Sequence, residues 1–209
     1  MDRLIASTMT YRAASLETAL KRLKEEGFKK AELCTVVDWI PHFRLINATD
    51  ETIEEAAKMI EGIGIEIPAI NVSGIGNVDD NNNFIGTAVL AMNNAFKLAV
   101  RLGAKVVTLA CGEIKPEHNR EERLKAITAF NTLIADMAEK YSVTYSIEAP
   151  HKLSIAEKTE EIAEYWAKQD KRIKCTFDVA HLTFAGIDPV QIAKVYVNRV
   201  AHVHLRDAV

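Results

Sequence analysis

Short β-branched runs alternate with longer stretches of helical period along the 209 residues of this chain. The runs predict strands near 4–8, 31–35, 65–71, 104–110, 143–148, 173–178 and 199–205. Between them the apolar spacing predicts helices near 16–26, 50–62, 84–102, 120–140, 155–169 and 189–197. Start and stop chemistry agrees with these limits. Ser15 precedes LETALKRL and Gly27 follows it, Asp188 puts a cap before the first-turn Pro189, and Gly103 closes the third helix. No linker, low-complexity tract or composition break interrupts the alternation, which predicts one domain over 1–209 built from βα repeats on a parallel sheet.

Strand parity narrows the architecture, because successive side chains face opposite sides of a sheet. Thr144, Ser146 and Glu148 share one face against Val143, Tyr145 and Ile147. Lys174, Thr176 and Asp178 likewise oppose Ile173, Cys175 and Phe177, and His202 and His204 oppose Ala201, Val203 and Leu205. An open doubly wound sheet, covered by helices on both faces, calls for apolar strands throughout. A closed barrel tolerates polar groups on its inner face near the mouth. The expected fold class is therefore α/β of the (β/α)8 TIM-barrel type, with seven strands present.

On that architecture the ends of three consecutive strands carry the candidate chemistry. Glu148 ends VTYSIE, Asp178 ends IKCTFD and His204 stands in HVHLRD, about one βα unit apart, so a parallel barrel would bring them to one mouth. Two carboxylates and an imidazole make a donor set for a divalent ion, and Mn, Mg, Co and Zn all suit mixed oxygen and nitrogen ligands. An ion so held would polarise the carbonyl of a hydroxy-carbonyl substrate and stabilise the enediolate left by proton removal, with Glu148 as one of the two acid–base groups. His151, three residues after Glu148, is a further substrate-binding candidate on the following loop. His202 lies on the face of His204, where inner packing and substrate contact are equally open, and His118 reads as part of a charged helix start. His42 lies in DWIPHFRLIN, whose Trp39, Phe43 and Arg44 suit either a lid over a small substrate or packing on the rim. SGIGNVDDNNN lacks the lysine of a phosphate loop and reads as a mobile βα loop. Cys34, Cys111 and Cys175, far apart in or beside strands, read as reduced core residues.

Composition removes several classes of partner. A net charge of −3 supplies no basic field for nucleic acid, and no apolar run approaches the roughly 18 residues of a membrane span. The N-terminus lacks the charged and apolar regions of a signal peptide, so a cytoplasmic protein is expected, with homo-oligomerisation open.

Three motifs in order carry a family resemblance. IEAPH, FDVAHLTFAGIDP and HVHLRD resemble the fifth-, sixth- and seventh-strand segments of the sugar phosphate isomerase/epimerase family with the xylose isomerase-like TIM barrel. ALKRLKEEGFKKAEL and AVRLGAKVV agree more loosely, so the likeness runs from Leu4 to the last residue. It implies that Glu148, Asp178 and His204 are metal ligands, that His181 lies beside the metal or substrate, and that Arg206 contacts substrate oxygens. The family's partner acid and fourth ligand is a glutamate ending the eighth strand. This sequence stops at Val209, so the eighth βα unit and that glutamate are expected to be missing and the barrel to be C-terminally incomplete. The implied activity is a divalent-metal-dependent isomerase or epimerase of a small ketose, keto-polyol or sugar phosphate; a dehydratase shares its opening step, and the truncated chain alone is open to being inactive. Two alternatives remain: a non-catalytic sugar-binding or scaffold protein on the same fold, and, ranked lower, an endonuclease IV-like apurinic-site nuclease. The nuclease needs extra histidines after earlier strands, where this chain has Asn71 and Thr108–Gly112.

Overall fold

The computed structural model describes residues 4–37, 39–40, 42–149 and 154–206. Seven strands, β1 (Ala6–Ser7), β2 (Lys30–Val36), β3 (Glu66–Ser73), β4 (Val106–Ala110), β5 (Thr144–Glu148), β6 (Lys174–Asp178) and β7 (Val200–His204), stand in one sheet in sequence order. Pairing is parallel between β1 and β2, β2 and β3, β5 and β6, and β6 and β7. The helices are α1 (Leu16–Glu25), α2 (Asp50–Ile63), α3 (Gly86–Leu102), α4 (Arg120–Lys140), α5 (Thr159–Lys168), α6 (Val179–Phe184) and α7 (Pro189–Tyr196). This is the α/β architecture that the alternating pattern predicts. The chain clusters into two compact units. One takes in residues up to 75 with 86–107 and 140–143, and the other 76–85, 108–139 and 144 onward.

In the first unit the cap anticipated at Ser15 holds: its hydroxyl accepts the Thr18 N–H at the start of α1. Thr49 and Thr52 add a reciprocal capping box on α2 that the sequence reading did not name. Leu16, Ala19, Leu20 and Leu23 recur at helical spacing and bury the inner face of α1. Arg101 on α3 grips Glu54 and Glu61 on α2, tying the two helices on their exposed side. His42 packs inward: its ring nitrogens lie 3.1 Å from Thr8 Oγ1 and 3.3 Å from the Tyr11 carbonyl. Trp39 stays exposed, with the Arg12 guanidinium over its ring.

The second unit holds the C-terminal strands and a buried polar hub. Asn131 on α4 donates to Tyr165 Oη (3.0 Å) and Gln169 Oε1 (2.9 Å) and accepts from Tyr145 Oη (3.1 Å). These bonds tie helix and strand together through buried polar groups. All three cysteines are free and buried.

Three local features depart from the sequence reading. Helix α5 starts at Thr159 rather than near 155, because Ser154 is drawn into an isolated bridge with Glu113 and Ile155 donates to the Gly112 carbonyl at 2.9 Å. Helix α6 was not foreseen, being too short to show a period. The stretch SGIGNVDDNNN carries more bonding than a mobile loop needs. Val78 bridges to Phe84, Asp79 Oδ1 accepts the N–H groups of Asn81 and Asn83 at 2.9 Å each, and Asn77 is buried against Asn131.

Candidate functional site

The polar face of β5, β6 and β7 has two levels. At the lower one, Ser146 Oγ and Thr108 Oγ1 each lie 2.7 Å from Thr176 Oγ1, and all three hydroxyls are fully buried. Two residues further along each of β5 and β6 stand Glu148 and Asp178, as the period of two requires. Register then places the third group, for Asp178 pairs with His204 and Thr176 with His202.

At the upper level the side chains converge. His204 Nδ1 is 2.8 Å from Glu148 Oε1 and 3.9 Å from Asp178 Oδ2. His181 Nε2 is also 3.9 Å from Asp178 Oδ2. Asp178 has two structural duties: it ends β6 and is the N-cap of α6, its Oδ1 accepting the His181 N–H at 2.9 Å. That cap is what the spacing Asp-x-x-His encodes, and it swings the His181 ring back over the carboxylate. Arg206 Nη2 then approaches Asp178 Oδ2 (2.8 Å) and His181 Nε2 (2.6 Å). A guanidinium only donates, so His181 Nε2 accepts and its proton stands on Nδ1.

Electrostatics follow from this packing. Burial raises the Glu148 pKa, with the Asp178 carboxylate acting in the same direction and His204 against it. Burial also pushes Asp178 up, but the His181 N–H, the Glu148 side chain and the Arg206 charge outweigh it, so its pKa ends below the usual value. Two buried carboxylates side by side require a proton or a cation between them. The donor set fits a metal ion. One ligand atom from each of Glu148, Asp178 and His181 lies within 4.8 Å of the others, whereas bonds of roughly 2.0–2.2 Å place neighbouring ligand atoms about 3–3.5 Å apart. His204 Nδ1 falls within the same range of both carboxylates. Arg206, nearly half-exposed, already brings a positive charge to this place.

Of the residues singled out from sequence, Glu148, Asp178, His204, His181 and Arg206 are therefore gathered together, while His151 lies outside the described residues. His202 stacks edge-on against His204, with ring centroids 5.1 Å apart. His118 turns back on its own loop, its Nδ1 accepting the Lys115 N–H at 3.1 Å. Sequence reasoning missed the hydroxyl layer of Thr108, Ser146 and Thr176. Its signal was the polar parity of β5 and β6, one step below the two acids.

Comparison with known proteins gives a consistent result. The profile of the family described as xylose isomerase-like TIM barrel matches residues 20–209. An inosose dehydratase of Clostridium botulinum is 44% identical over 50 residues, which are 23% of this chain and 17% of that protein. The stretches matched span less than a third of the length of such curated relatives. Among solved structures, the 3-keto-D-glucoside 4-epimerase YcjR of E. coli has a TM-score of 0.74 at 14% identity, covering 97% of this chain and 78% of its own. The IOLI protein, solved with a bound zinc atom, has a TM-score of 0.75 at 18% identity, with coverages of 97% and 72%.

Proposed function

The chain belongs to the xylose isomerase-like TIM barrel family, and from that premise we propose that it serves as a divalent-metal-dependent isomerase or epimerase of a small ketose, keto-polyol or sugar phosphate. The observation that carries this reading is the meeting of both carboxylates at one imidazole: His204 Nδ1 lies 2.8 Å from Glu148 Oε1 and 3.9 Å from Asp178 Oδ2. Held by these residues, with His181 adjoining, a divalent ion would polarise a substrate carbonyl and acidify the neighbouring C–H.

The protein's own groups supply the remainder. The Glu148 carboxylate takes the proton from the carbon beside the carbonyl, and its burial suits it to hold that proton afterwards. His204 Nδ1, 2.8 Å from Glu148 Oε1, keeps the imidazole beside that carboxylate as its fellow ligand. His181, its Nε2 3.9 Å from Asp178 Oδ2, stands where it can contact the metal or the substrate. Arg206, whose side chain is 47% exposed, is free to turn from Asp178 toward substrate hydroxyls. Return of the proton to the same carbon from the other face gives an epimer, and return to the carbonyl carbon's side gives an isomer. Dehydration begins with the same proton removal; the inosose dehydratase relatives favour it as the second reading.

Proton exchange tests the proposal. The protein is incubated with Mn2+ in D2O, with D-fructose and a keto-inositol as probes, and followed by NMR. Deuterium should enter at the carbon beside the carbonyl of at least one probe, and Glu148→Gln should abolish it. Binding of a probe without exchange, and without retained metal, would instead establish the scaffold alternative.

A further inference from the structure

Arg123, on the first turn of α4, is 3% exposed, yet its guanidinium is held by carbonyl and amide oxygens rather than by a carboxylate. Nε donates to the Glu113 carbonyl at 2.9 Å and Nη2 to the Val78 carbonyl at 3.2 Å. Nη1 donates to the Asp79 carbonyl and reaches Asn82 Oδ1 at 3.4 Å. A buried cation is costly, and an apolar side chain of similar volume would serve the core as well or better. What a hydrocarbon could not do is bind three carbonyls from two separate loops.

Those loops are the ones that follow β3 and β4. The first is the Val78–Phe84 bridge with its Asp79 turn, fastened to the second by the Lys115–Asp80 ion pair at 2.7 Å. The second leads back to Glu148 by backbone bonds alone. Glu113 bridges to Ser154, Ile155 N–H donates to the Gly112 carbonyl at 2.9 Å, and Cys111 N–H donates to the carbonyl of Glu148 itself at 3.1 Å. Gly112 packs closely within this frame: a Cβ there would lie 2.8 Å from Ile127 Cδ1 and 3.0 Å from Asn77 Oδ1. Glu113 is thus two residues along the backbone from Cys111, whose N–H holds the Glu148 carbonyl.

We propose that Arg123 is a positioning residue: it fastens the loops after β3 and β4 into one frame and, through Glu113, sets the backbone that carries Glu148. The link to metal and substrate rests on the function proposed above; the fastening of the loops does not.

Arg123→Met, which keeps volume and removes every donor, and Arg123→Lys, which keeps charge and some donors, test it by hydrogen exchange and by Mn2+ titration. In folded Arg123→Met, the amides of Asn81, Asn83 and Ile155 should exchange at least about tenfold faster while those of α5 and α7 are unchanged, and the Mn2+ dissociation constant should rise about fivefold or more. Arg123→Lys should recover part of both. Unchanged exchange in folded Arg123→Met overturns the proposal, as does faster loop exchange with unaltered Mn2+ affinity. Failure of both variants to fold assigns Arg123 to the core and overturns it too. If the wild-type protein binds no Mn2+, the functional reading fails, while the exchange arm still decides the role of Arg123.

Discussion

Glu148 and Asp178 are chemically similar and differently placed. Asp178 is stabilised as an anion by a helix N–H and a guanidinium, whereas Glu148 has burial to oppose its charge and one imidazole to support it. Asp178→Asn separates two of Asp178's duties, because asparagine is as good an N-cap as aspartate but carries no charge. It should leave helix content nearly unchanged, lower the melting temperature of the metal-free protein through the lost pairing with Arg206, and remove the stabilisation by Mn2+, read in a thermal shift assay. Glu148→Gln should reduce turnover of a responsive keto-sugar by about 10²–10⁴-fold, the usual contribution of a positioned acid–base group. The thiols make an independent test. Burial pushes Cys111 and Cys175 up to about 12, and Cys34 is fully buried. Only the thiolate is nucleophilic, so at pH 8 a disulfide reagent should find these cysteines inert in the native protein and fully reactive in guanidinium.

At the scale of elements, the strands do more than present the acids. The layer of Thr108, Ser146 and Thr176 sits directly below them, and Thr176 is its shared member. Thr176→Val preserves shape but strands two buried hydroxyls, which should cost about 1–3 kcal/mol in denaturant unfolding. Gly112 is the other element-level constraint, with φ at +104° and no space for a methyl group. Gly112→Ala should destabilise the protein by about 1–3 kcal/mol, the range for overpacking combined with backbone strain. Helix α6 exists because Asp178 caps it, so the geometry of the candidate site and the start of a helix are one feature.

The whole molecule comprises two compact units, each with its own buried core, and the candidate centre belongs to the second. None of the described helices is long and apolar enough to cross a membrane. An ion that binds only the folded state raises stability by mass action, by about 2.7 kcal/mol at a hundredfold excess over its dissociation constant. Mn2+ should therefore raise the melting temperature of the wild-type protein, chelation should reverse the shift, and elemental analysis should find close to one ion per chain. About three ions would point to the nuclease alternative.

Much of this was legible in the order of residues. Periodicities of 3.6 and 2 are local properties, so the strands and longer helices fall within a few residues of their expected limits, and Ser15, Asp188 and Gly103 mark ends where capping chemistry puts them. Parity likewise puts Glu148, Asp178 and His204 each on the polar face of its strand. The tertiary structure alone decided the rest. That His42 packs on Thr8, and that Arg123 is buried against the carbonyls of Val78 and Asp79, depend on partners 30 or more residues away in sequence. Such contacts leave no periodic trace, because a hydrogen bond is specified by where the chain brings two groups together and not by what stands beside either of them.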